Sequence, residues 1–519
     1  MGRTLTNNFA LAFAIQQSFG VLGASPAWKL LEPEDVTTWG AEIATVARAP
    51  ISPNRQRRKG TIVDLDSTVE FEVDLTVDSW LDFVEGFIFA LATNYRLKSG
   101  ALWDNLKVDN DVPGVGVAGF THDAIAAAMP EHQLVYGRGF AQSIANALFE
   151  VDAAGTTTET PVKGSPAFID EDPGNTALAT IETAGWRFTD LVWTDATNTL
   201  SSALTNPSLI GLTVGQLIHI GGLTGATQFT NGTAYARVRS IANTVGGDIV
   251  VDKITNRLGT GLNGGGNQAA DAVDLLFGLF IRNVPVSHAS FLERYFDFEG
   301  SWPNLFETDP PTPVPEPDGF EYAEDNLANG MQINMPGQDK ATLTLSFIGS
   351  DTVPPVDNAD RETNADTPAQ PRQTAAFNTT SDFVRLRIQD VDETGLTTDL
   401  TDMTTSLSNN VGPEKVLGFL GARFLNYGNF EVDIETTALF TSPNVIARIR
   451  GNTTCSMDWA IHNDDGVVGF DIPSLTLGNG GRELPRNESV KVALTGQAFL
   501  DPVFGTSLGV SIIPIVPTA

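Results

Sequence analysis

Carboxylates are the most numerous side chains of this sequence with chemistry to offer, and their spacing decides what that chemistry is. In "IVDLDSTVEFEVDL", Asp64, Asp66, Glu70, Glu72 and Asp74 sit between Val63, Leu65, Val69, Phe71, Val73 and Leu75. In "NFEVDIETT", Glu431, Asp433 and Glu435 repeat the alternation. Two carboxylates can hydrolyse a glycoside when one is kept protonated in an apolar setting. These acids instead share one face of an extended chain, because side chains of a strand alternate with period 2. The pattern favours a solvated acidic face over a hydrolytic pair.

Other reactive groups are sparse. Cys455 is the only cysteine, so neither an internal disulfide nor a cysteine-based metal cluster is available. His122, His132, His219, His288 and His462 are scattered, and none falls in a His-Glu-x-x-His pattern. "GVGVAG" (Gly114, Gly116, Gly119) and "GTGLNG" (Gly259, Gly261, Gly264) match a dinucleotide fingerprint by letter, but each follows a polar segment where a buried strand is needed. No phosphate loop, nucleophile elbow or calcium loop is present. The residues point to no enzyme, no cofactor and no metal.

The charge narrows the partners. With 63 acidic against 31 basic residues, the formal net charge is −32. Such a chain repels nucleic acid and anionic membrane surfaces. No apolar run reaches the ~18 residues of a membrane helix. "FALAFAI" imitates a short signal core, but one Arg precedes it and Gln16-Gln17 follow, so cleavage is not expected. The strongly basic exception is the loop "ISPNRQRRKG", with Arg55, Arg57, Arg58 and Lys59. It is either a solvated hairpin tip or a dock for an acidic partner, for which another copy of this chain qualifies.

The elements that carry these residues are mostly strands. Residues 61–76 predict a half-buried antiparallel strand or hairpin. Trp80, Phe83, Val84, Phe87 and Ile88 then follow helical spacing, predicting about four turns of helix with Asp78 as N-cap. The Ala-rich part of "THDAIAAAMPEHQ" is helix-prone. Residues 184–266 read as a small all-β module with Gly and Asn turns, ending in a glycine-rich exit. A polar stretch, 351–380, has the composition of a linker or long exposed loop.

Two pairings suggest an internal repeat. "FEVDL" at Phe71 recurs as "FEVDI" at Phe430, 359 residues on. "MPGQDKATLTL" at Met335 resembles "LPRNESVKVAL" at Leu484, 149 residues on. The motifs keep their order, which argues for a tandem duplication with an insertion in the first copy.

"NNFALAFAIQQSFGVLG", "TVARAPISPNRQRRKGTIVDLDSTVEFEVDLTVDSWLDFVEGFIFA", "GLTVGQLIHIGG…NGTAYARVRSIA", "SFLERYF" and "GMQINMPGQDKATLTLSFIGSD" together resemble the tail tube (major tail) proteins of long non-contractile-tailed bacteriophages. The resemblance implies a mainly β (α+β) fold: two tandem tail-tube-type β-sandwich/barrel domains, each with a flanking helix, plus the inserted β module. The implied division is 1–183 and 267–355 for the first domain, 184–266 for the insertion, 356–380 for a linker and 381–519 for the second domain. It implies a structural virion protein, assembled in the host cytoplasm, whose rings stack into a conduit for DNA ejection. The ring would hold three chains with pseudo-sixfold symmetry, or six chains as the alternative. Implied partners are further copies, a tape-measure protein, and tail terminator and distal tail proteins, with DNA passing unbound and no membrane. On this resemblance Asp64, Asp66, Glu70, Glu72, Asp74, Glu431, Asp433 and Glu435 are candidates to face the lumen. Arg55, Arg57, Arg58 and Lys59 are candidates for contact between rings, and the inserted module is expected on the tail exterior. A carbohydrate-binding or hydrolysing tail-spike-like β protein competes, but would require exposed aromatic platforms. A surface-layer or adhesin-like protein would require a secretion signal.

Overall fold

A computed structural model describes residues 8–49, 51, 56–112, 116–152, 155–164, 166–230, 232–252, 266–303, 305, 318–388, 399–440, 443–484 and 486–517. The fold is mainly β. Among the described residues two α-helices occur, Leu81–Ile88 and Asn444–Gly451.

One antiparallel sheet organises the chain. Its strands run in space as Ala41–Arg48, Arg58–Asp74, Thr342–Gly349, the second half of Gly319–Pro336, Leu400–Ser408, Glu431–Leu439, Lys491–Ala498 and the second half of Gly466–Glu483. The short strand Asp35–Thr38 continues the first edge. The two 18-residue strands each leave this sheet midway. The first half of Gly319–Pro336 pairs with Tyr295–Trp302, and the first half of Gly466–Glu483 pairs with Thr454–Asn463. Register shifts accompany the departure, as β-bulges do where strands bend. At the first bend, the buried Asn326 amide donates to the Phe296 and Ala323 carbonyls, at 3.1 and 2.8 Å.

The pairing pattern occurs twice, and backbone bonds fix its register. Leu75 N–H donates to Ala341 O at 2.9 Å, and Phe440 N–H to Val490 O at 2.9 Å. Strand 342–349 therefore corresponds to 491–498, 149 residues apart, whereas the acidic strands correspond 365 residues apart. The two Phe-Glu-Val-Asp segments are offset by 359, so they are not register-equivalent but slipped by six residues. An even slip keeps every acid on its face.

Apolar faces and helices close the core. Val69, Phe71, Val73, Leu343, Leu345 and Phe347 are buried beneath Phe83 and Phe87 of the first helix. Phe87 and Phe347 rings lie 5.2 Å apart. This helix has two turns, not four. Beyond it Leu91 and Thr93 donate their N–H groups to Ser290 and Phe280 carbonyls, so the chain is drawn into extended pairing. Asp78 does not cap it. The N-cap is Trp80, the Thr76 hydroxyl accepts from the Asp78 and Ser79 N–H groups, and Asp78 is committed to Arg96 at 2.9 Å and Arg372 at 3.1 Å. The Ala-rich segment is not helical either. Ile125 N–H bonds Thr157 O and Ala127 N–H bonds the Tyr95 hydroxyl, which replaces helical bonding with tertiary contacts.

Within 180–276 lies a closed six-stranded barrel: Thr180–Thr194, Thr199–Ser201, Asp248–Val251, Ala234–Ile241, Leu217–Ile220 and Gln268–Leu276, the last returning to the first. Trp186, Phe188, Trp193 and Phe277 help fill it. It is bolted to the body through buried ions. Barrel residue Arg237 meets Asp471 at 2.7 Å and Asp252 at 3.1 Å. Asp252 also receives Arg385 and Arg387, both of which bind Asp458. The polar stretch after Val356 runs along the body, anchored by buried Ala365, Ala369 and Phe377.

Candidate functional site: one acidic sheet face

Directly paired residues of neighbouring strands share a face. One row runs Glu72, Thr344, Gln332, Ser406, Asp433, Gln497, Thr476 across seven strands. The next runs Asp74, Thr342, Asn334, Thr404, Glu435, Thr495, Gly478. Neither row contains a lysine or arginine. The two acidic strands thus present their carboxylates on the same face of one sheet, four strand spacings apart, or about 19 Å. Between them the face is neutral and polar.

The eight acids differ in environment. Asp64 and Asp66 both bind Lys415 Nζ, the latter at 2.6 Å, and the hydrogen bond from Lys415 lowers the Asp64 pKa. Asp74 binds Lys340 at 2.8 Å, and Lys340 also reaches Glu34. Glu70, Glu72, Glu431, Asp433 and Glu435 have no ion-pair partner among the described residues. Partial burial, then the neighbouring charges of Glu431 and Glu435, raise the Asp433 pKa. Three carboxylates on alternate positions, about 7 Å apart, produce that repulsion.

Arg57, Arg58 and Lys59 are exposed at the far end of the hairpin formed by Ala41–Arg48 and Arg58–Asp74; Arg55 lies outside the described residues. Arg48 stands opposite Arg58, a like-charge pair of the kind that weakens a ladder. Exposed Ile43, Val46, Ile62 and Val63 occupy the stem.

Among the described residues no His, Cys, Asp and Glu side chains gather to hold a metal, and no helix is long and apolar enough to cross a membrane. His219 is buried, which lowers its pKa to about 4. His122 is held by Thr160 Oγ1 and Asp123 O. Gly119 begins a strand rather than a helix, while Gly114, Gly259, Gly261 and Gly264 lie outside the described residues.

Sequence patterning could not find the buried ion clusters. Asp82 binds Lys29 and Lys98, at 2.6 and 2.5 Å, across 53 and 16 positions. The Asp458 and Asp471 networks span still longer separations. Their sequence signal is limited to charged letters inside apolar strands, as in "FVRLRI" and "CSMDWAI".

No curated protein matches the chain. A family model described as phage tail tube protein matches residues 6–498. With nearly the whole length covered, and a mainly β fold carrying this sheet, the chain belongs to the phage tail tube protein family and is a structural component of a virion tail that assembles with itself into a tube.

Proposed function

We propose that the acidic sheet face lines the tube and that three chains close each ring, with the lumen serving as a passive conduit for DNA. The observation that carries this reading is the presence of both acidic strands on one face of a continuous sheet whose central rows lack cations. A conduit must not bind the phosphate backbone, and carboxylates deny it the counterion release that lysine and arginine would drive.

The strand count supports three chains. Eight strands per chain make 24 in a trimer, which at ~4.8 Å spacing and a tilt near 40° gives a wall roughly 48 Å across between backbones. Subtracting a side-chain layer of about 5 Å on each side leaves a bore of roughly 38 Å, room for one duplex. Six chains would give a wall about 95 Å across, far wider than a duplex needs. The repeated ladders support two tube units per chain, which gives a trimer pseudo-sixfold symmetry. The cationic end of the first hairpin is proposed to contact the acidic surface of an adjacent ring, and the barrel to sit outside the tube. No chemical step is assigned to the protein. A tape-measure protein in the lumen and terminator and distal proteins at the ends complete the proposed set of partners.

Negative-stain microscopy of the purified chain tests the reading. Rings or tubes with a central hole support it; monomers under all assembly conditions reject it.

A further inference from the structure

We propose that the chain joins a second copy of itself by repeating, between copies, a junction that it already makes internally. This rests on the self-assembly reading and adds a partner surface and a register. Within the chain, residues Gly330–Pro336 pair with Leu400–Ser408, so the edge of the first ladder is covered. Met335 lies opposite Met403 there and is buried. The second ladder has the same edge, and it is bare. Leu484, the counterpart of Met335, is 77% exposed, and among the described residues no strand pairs outside Leu477–Glu483.

The complementary bare edge is at the other end of the sheet. Met403 pairs with Thr436, which corresponds to Phe71, and Phe71 pairs with Val36. Val36 is therefore the counterpart of Met403. By the same route Ala41 is the counterpart of Leu407, and Asn479 that of Met331. The internal pairs Met335–Met403 and Met331–Leu407 predict Leu484 against Val36 and Asn479 against Ala41 of a second copy.

The hairpins tell the same story. The second hairpin, which extends Leu400–Ser408 and Glu431–Leu439 through the short paired strands Gly412–Glu414 and Phe424–Asn426, buries Val411 and Leu425 against Phe89 and Leu327 of the first unit. Its Lys415 lies on Asp64 and Asp66, and Ala422 N–H donates to Ser350 O at 2.9 Å. The first hairpin has no such bed, and its Val46 and Ile62 are 58% and 52% exposed. A matching bed stands open on the second unit. Phe499, the counterpart of Ser350, donates to Ser474 O at 3.0 Å as Ser350 donates to Glu324 O at 3.1 Å. Phe499 and Leu500 are exposed, and Glu431, the counterpart of Asp66, has no cation partner among the described residues. Arg48 likewise has no carboxylate partner among the described residues. Apolar surface meets apolar surface, and cation meets anion. An open strand edge with exposed apolar flanks calls for this cover. Applied around a ring, such a head-to-tail contact closes on itself.

Cysteine pairs test the register, because Cys455 is the only native cysteine and is buried. The full-length double variants Val36→Cys/Leu484→Cys and Ala41→Cys/Asn479→Cys are assembled, oxidised and run without reductant. We expect covalent dimers and trimers from both pairs. The mismatched pair Val36→Cys/Asn479→Cys should give at least tenfold less product, since a disulfide needs Cα atoms within about 7 Å. If tubes form but neither matched pair links, or if the mismatched pair links as well, the junction is wrong while the tube reading stands. If the unsubstituted chain forms no ring or tube by microscopy, both fail together.

Discussion

Replacing Glu72 and Asp433 by lysine converts the central acidic row into a cationic one without altering an apolar residue. Glu72 is half-buried and Asp433 exposed, and neither has an ion-pair partner among the described residues, so the fold should tolerate the change. On the proposed ring of three chains, two substitutions per chain place six lysines around the bore. If each reaches one phosphate, the slope of log affinity against log salt becomes about −5, and affinity falls roughly 10³-fold between 50 and 200 mM salt. The assay measures retention of DNA by assembled tubes across that salt range. Short linear duplex enters an open tube, whereas a closed circular plasmid cannot thread it. Substituted tubes should hold the linear duplex at 50 mM salt and release it at 200 mM, and ignore the circle throughout. Unsubstituted tubes should hold neither. Equal retention of circle and linear duplex would place this face on the outside of the tube.

Further outcomes follow from the same structure. Asp458→Ala leaves Arg385 and Arg387 buried without their shared carboxylate, which should destabilise the fold by about 3–5 kcal/mol in urea unfolding; a loss under about 1 kcal/mol contradicts the bolted barrel. Burial, with nearby Asp297 and Asp325, raises the Glu324 pKa to about 7, and burial raises Asp297 to about 6. Both folded values exceed the unfolded ones, so the folded state gains protons and stability as pH falls from about 8 towards 5. The urea midpoint of Glu324→Gln/Asp297→Asn should rise less than that of the parent over this range; an equal rise excludes these two groups as its source. Arg57→Glu/Arg58→Glu should shorten tubes in electron micrographs while single rings persist, and unchanged tube length would reject a ring-to-ring role for the cationic hairpin end.

The sequence made the strand faces legible and left the long-range partners hidden. Period-2 alternation at Asp64–Leu75 and Glu431–Ile434 identified the acidic face, because every second side chain must share a side. It could not tell which strands lie between those two, since Thr344, Gln332 and Ser406 carry no charge to mark their rows. Letter identity of the two Phe-Glu-Val-Asp segments gave the right face but a register six residues off. Hydrogen bonds at Leu75 and Phe440 set that register, and neither residue is distinctive. The first helix was visible in Phe83 and Phe87, but its length was set by the partners of Leu91 and Thr93, far along the chain. Asp78 looked like a cap by position, and only tertiary proximity to Arg96 and Arg372 assigns it to an ion cluster. The barrel was readable as short strands, whereas its attachment through Arg237, Asp252, Arg385 and Asp471 depends on residues up to 234 positions apart.

One continuous sheet, acidic on one side, is proposed to form the wall of the tube. A three-dimensional reconstruction of assembled tubes by electron cryomicroscopy tests it most directly. Three chains per ring, a wall of 24 strands, and Glu72, Asp433 and Glu435 pointing into the bore are expected. Six chains per ring, or those carboxylates on the outer surface, would contradict it.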